Sequence, residues 1–171
     1  EITYIRGSSN RGAALISGAV DLTVATIDAT FPLLIESPED IHITANLIKE
    51  LPWLVGQTLN VSDDFIENHP DTVQDIVTTF IVVLRDILDN PESLIDEAVV
   101  ALELDPEEAT ALVEVYLVNE LFPQNGGLTE ERITESIDFL IGAGFLPEEL
   151  TSADVADLTF IENALAVLDS E

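Results

Sequence analysis

The chain has 171 residues, enough for one domain or one and a fraction. It carries 34 acidic residues against five basic ones, a net charge of −29, yet 47% of it is hydrophobic and its mean hydropathy is +0.30. Disorder needs charge together with low hydrophobicity, so the acid belongs on the surface of a packed protein. With no basic patch, nucleic acid and anionic membranes make poor partners.

ITYIRG (2–7) alternates and is rich in β-branched and aromatic residues, which predicts a strand. NRGAALIS (10–17) reads as a short helix that Gly18 stops, and VDLTVAT (20–26) as a second strand. Strand, helix and strand in so few residues predict a parallel pair joined by a right-handed crossover. IDATFPLLIESPED follows as a helical or irregular segment, then IHITANL (41–47) and LVGQTLNV (54–61) as further strand candidates.

From Ser62 the pattern turns helical. Ser62 with Asp63 and Asp64 reads as a capped start, with acid at the positive end of the helix dipole. Val73, Ile76, Val77, Phe80, Ile81, Leu84, Ile87 and Leu88 keep helical spacing behind Pro70. Proline followed by acid recurs at Pro70, Pro91, Pro106 and Pro147, a helix-start signature because the missing N–H is not needed there. The unequal spacings rule out a structural repeat, and the marks divide the tract into helices near 70–89, 91–103, 106–121, 129–142 and 159–169. The predicted class is therefore α/β, a short parallel βαβ sheet fragment followed by a helical C-terminal tract.

Few constellations carry chemistry. There is no cysteine, hence no disulfide, thiol nucleophile or thiolate metal site. His42 and His69 stand apart, no metal-ligand spacing or catalytic triad is visible, and no cofactor is predicted. No apolar run approaches ~20 residues and no signal peptide is visible. The opening at Glu1 without Met suggests a processed product or a piece of something longer.

Gly7-Ser8-Ser9-Asn10 lies where a strand should end and a helix begin. Free N–H groups, two hydroxyls and the helix dipole can receive an anion there, and Arg11 can add a charge; a plain N-cap turn explains the same residues. It is not a phosphate-binding P-loop, whose lysine is missing. Asp28 follows the second strand and suits either a ligand contact or a helix cap. Trp53, the lone tryptophan, suits core packing or a stacking platform. Asp63, Asp64, Glu67 and Asp71 read as a solvated helix start.

Taken in order, several stretches resemble a known family. ALISGAVDLTVAT is similar to the "ALLAGEVDAAV" segment of ABC transporter solute-binding proteins, and LNVSDDFIENHPDTVQDIVTTFIVVLRDILDNPE is similar to the segment that follows it. LDPEEA, GGLTEERITESIDFLIGAGFLPEEL and DLTFIENAL continue the series, so the resemblance spans nearly the whole chain. The group is the periplasmic-binding-protein type 2 class that takes nitrate, sulfonates, taurine or thiamine-pyrimidine precursors. The composition also resembles that of proteins from salt-loving organisms (haloarchaeal-like).

The resemblance implies a partial type 2 fold. Residues 1–47 would end the second, ligand-binding lobe, 48–61 would form the return crossing, and 62–171 would complete the first lobe. It implies no catalysis. A small solute would be captured outside the cell by closure of two lobes, for delivery to membrane permease subunits, with the family's N-terminal half needed to complete the cleft. Ser8, Ser9, Asn10, Arg11 and Asp28 become the implied ligand contacts, with Trp53 behind them. A thiamine-precursor enzyme on the same fold would need a cysteine-rich motif that this chain lacks.

Overall fold

The computed structural model describes residues 1–170. They form two compact units, 1–46 and the residues from Leu47 onward. The described residues are 58% helical and contain no strand, so the α/β class and the βαβ fragment of a type 2 fold are not what the chain forms.

The first unit is built on α1 (Ser8–Ile16) and α2 (Ile27–Glu36), which pack against each other. Gly12 is buried at their contact, and a Cβ there would sit 2.7 Å from Leu33 Cδ1. Gly18, at φ 71°, ends α1 as expected. The predicted strands 2–7, 20–26 and 41–47 are irregular, with Leu47 already in a helix, and no ladder joins them. The backbone groups that would start a ladder bond to side chains instead: Ile5 O and Val24 O accept from Arg11, and Thr26 N–H donates to Ser8 Oγ. An isolated parallel pair would also lack covered faces, without which parallel sheets are not stable. Ile2, Tyr4, Leu22 and Val24 accordingly stay exposed.

The second unit begins with α3 (Leu47–Glu50), and the predicted strand 54–61 is irregular. Its helices are α4 (Asp63–Asn68), α5 (Pro70–Asp89), α6 (Pro91–Ala101), α7 (Pro106–Val118), α8 (Glu130–Gly142) and α9 (Thr159–Leu168). Three of the four proline marks open a helix; Pro147 instead begins a turn closed by Leu150 N–H to Pro147 O. Ser62 caps α4 through Phe65 N–H, and Asp105 caps α7 through Glu107 and Glu108 N–H at 2.9 Å each.

Helix α5 is the spine, packed on α4, α6 and α9, while α6 lies on α7. Val73, Ile81 and Leu84 of α5, Ala98, Ala109, Leu112, Val113, Ile133, Ile137 and Ala164 form the core. Not all of the predicted apolar face of α5 is covered. Ile76, Phe80 and Leu88 remain partly exposed, because the face is wider than its neighbours.

Loop 122–128 ties this unit together. Gly126 (φ 78°) and Gly127 (φ 67°) turn the chain in a conformation that side chains rarely adopt. The turn sets Asn125 Oδ1 to accept from Arg85 Nε (3.2 Å) and Nη2 (2.8 Å), while Nη2 also reaches Asp169 Oδ1 at 2.8 Å. That loop thereby joins α5 to the end of α9.

Candidate functional site

The start of α1 is the first place the sequence marks. Gly7, at φ 80°, is its N-cap residue, and no side chain caps the first turn. The plain N-cap-turn reading of Ser8 and Asn10 therefore fails, since both bond elsewhere. Asn10 Nδ2 donates to Arg6 O at 3.0 Å, closing the turn from behind. Ser8 Oγ accepts from Arg11 Nη2 at 2.8 Å and from Thr26 N at 3.3 Å.

Among the described residues, no carboxylate pairs with Arg11. Its Nε donates to Val24 O at 2.6 Å and its Nη1 to Ile5 O at 3.2 Å, so one guanidinium clasps both irregular segments. Ser9 stays exposed beside the uncapped amides. Ser8, Ser9, Asn10 and Arg11 thus lie together, but Ser8 and Arg11 are engaged within the unit, which leaves backbone N–H groups and Ser9 as the part open to a ligand.

Asp28 sits exposed in the first turn of α2 and caps nothing, since no side chain caps that helix. It complements the positive end of the α2 dipole. Trp53 belongs to the second unit. Its ring meets Phe139 edge-on at 5.3 Å, and its segment is held by Ser136, buried on α8. Ser136 Oγ accepts from Val55 N at 2.9 Å and lies 3.2 Å from Trp53 O and 2.7 Å from Arg132 O. The packing role of Trp53 is the one seen.

Two residues that sequence reasoning passed over stand out in the second unit. Ser136 is one. Arg132 is the other: its Nη1 donates to Gly127 O, its Nε is buried without a partner, and among the described residues no carboxylate pairs with it. It lines a cavity of about 430 Å³ whose walls include Ile48, Leu88, Leu117, Glu120 and Phe122. A signal for Arg132 was present, since a cation in the first turn of a helix opposes the dipole and needs another reason to be there.

Among the described residues, no group of three or more His, Asp or Glu is placed to hold a metal ion, and no helix is long and apolar enough to cross a membrane. Of the titratable groups, Asp154 is perturbed. The Thr151 hydroxyl at 2.6 Å and then its N–H at 2.9 Å hold the carboxyl below its ordinary value. This is a local turn closure, with no chemistry around it. No family model matches the chain, and neither a curated protein nor a solved structure matches it.

Proposed function

We propose that the chain serves as the extracytoplasmic solute-binding component of an ABC importer, without catalytic activity of its own. It would take a small anionic or heterocyclic solute, of the nitrate, sulfonate, taurine or thiamine-pyrimidine-precursor kind, and hand it to the permease subunits. The observation that carries the reading is the uncapped start of α1, where no side chain caps the first-turn N–H groups and Ser9 is exposed beside them. Such a helix start favours an anion through both unpaired donors and dipole. The ordered resemblance from ALISGAVDLTVAT to DLTFIENAL supports the importer context.

The test is a thermal-shift series on the chain in molar potassium glutamate, with nitrate, taurine, ethanesulfonate and an aminopyrimidine. A ligand at a hundred times its Kd stabilises by about 2.7 kcal/mol. Ser9→Asp, which places a carboxylate among the same donors, should remove the shift. If no compound raises the melting temperature, the chain does not bind these solutes by itself, and the second reading below stands.

A second reading has its own observation. Ile2, Tyr4, Leu22 and Val24 are exposed on irregular segments. On that reading, binding needs a further polypeptide segment that pairs with them, and the chain by itself binds nothing. A thermal shift by any of the four compounds would refute it.

A further inference from the structure

The cavity at Arg132 is built of unlike parts. Its lining is mainly apolar, including Ile48, Leu88, Leu117 and Phe122, with Arg132, Glu120 and Gln124 as its polar members. Phe122 is steadied by an edge-on contact with Tyr116 at 5.8 Å. At about 430 Å³ the space falls within the ~300–1,000 Å³ of small-ligand sites.

The charge of Arg132 is incompletely met. A half-buried guanidinium has one backbone acceptor, Gly127 O, and an orphaned buried Nε. Charged groups removed from water need a partner of opposite sign, and among the described residues no carboxylate is placed on this one. Nε is shut off from solvent and Nη1 is held by Gly127 O, so a ligand carboxylate would meet the guanidinium through Nη2 in a charge-assisted contact.

A plain anion, however, must approach a molecule of net charge −29 and meet Glu120 on arrival. A molecule with both charges meets neither obstacle. We propose that this cavity binds an apolar α-amino acid as its zwitterion. The carboxylate meets Arg132, the ammonium meets the Glu120 carboxylate, and the aliphatic side chain lies against Leu88, Leu117 and Phe122. The site belongs to the second unit and the α1 start to the first, and this proposal stands or falls independently of the solute proposed for that start.

The experiment is amide and arginine Nε–H chemical-shift mapping of the ¹⁵N-labelled chain in molar KCl, titrated with L-leucine, 3-methylbutanoate and 3-methylbutylamine. Leucine should give saturable shifts at Glu120, Phe122 and the Arg132 Nε–H, with a Kd on the order of 1 mM. The acid alone and the amine alone should bind at least about tenfold more weakly, since each forfeits one charge-assisted contact. Arg132→Gln should abolish the leucine shifts. Because Arg132 also holds the glycine turn, Glu120→Gln, at an exposed position, is the second variant. It should keep the fold, weaken leucine about tenfold and erase the preference for leucine over 3-methylbutanoate. Absence of saturable leucine shifts, equal binding of 3-methylbutanoate to the unaltered chain, or an unchanged Glu120→Gln would overturn the proposal.

Discussion

Ser136→Ala isolates the contact that docks the Trp53 segment onto α8. Ser136 is 6% exposed, and its hydroxyl accepts from Val55 N at 2.9 Å while donating toward Arg132 O at 2.7 Å. Alanine leaves Val55 N–H facing a methyl group. A buried donor without an acceptor costs about 1–3 kcal/mol, and the half-buried Val55 places this case in the lower part of that range, ~1–2 kcal/mol. The helix itself gains a few tenths of a kcal/mol from alanine, which does not reverse the sign.

Since ~1 kcal/mol moves the midpoint of a unit of this size by about 3–5 °C, Ser136→Ala should melt roughly 3–8 °C lower. Trp53 is the only tryptophan, so its emission reports this docking site while far-ultraviolet circular dichroism reports the helices. The variant should show red-shifted emission at temperatures where the helical signal is still native. Phe139→Leu removes the ring partner and keeps the hydrogen bonds, so it should change emission with a smaller loss of stability. Native emission and an unchanged melting temperature in Ser136→Ala would refute the account of this interface.

Three further outcomes follow from the same structure. Stability should rise steeply between dilute buffer and molar KCl, because salt screens the self-repulsion of a −29 chain; identical melting curves would contradict this. Gly127→Ala should destabilise by at least ~1–2 kcal/mol, since its φ is 67° and the new Cβ would lie 2.8 Å from the Pro123 ring, whereas Gly56→Ala, with nothing nearby, should be near neutral by chemical denaturation. Asp154 has a folded pKa below the unfolded value, so its contribution is present above the unfolded pKa and disappears as pH falls through the folded one; Thr151→Val should raise the carboxyl pKa in a carbon-detected titration and weaken that acid-side dependence.

Helices were legible in the sequence where their signals are local. Pro70, Pro91 and Pro106 open helices because a fixed φ and an unneeded N–H are properties of one residue and its neighbours. Strands were misread because their formation is not local. ITYIRG and VDLTVAT have strand chemistry, but a ladder needs a partner in register, and Arg11 and Ser8 occupy the groups at which it would start.

The same distinction governs the site residues. The clustering of Ser8 to Arg11 follows from adjacency. The clasp that Arg11 makes on Ile5 and Val24 depends on chain reversal and was invisible beforehand. Arg132 and Glu120 come to one cavity across a glycine turn, which periodicity cannot show, although the cation at a helix start was itself a readable oddity.

The irregular segments of the first unit set the terms on which this protein stays dispersed. Ile2, Tyr4, Leu22 and Val24, exposed on irregular backbone, offer an apolar surface to another copy. At neutral pH the acidic coat keeps molecules apart, but near the isoelectric point of about 4.1 that separation vanishes. Salt acts in two directions: it relieves repulsion within a molecule, and it also lowers the barrier between molecules. Concentration and ionic strength must therefore be chosen together, because the condition that favours folding is also the one that permits assembly.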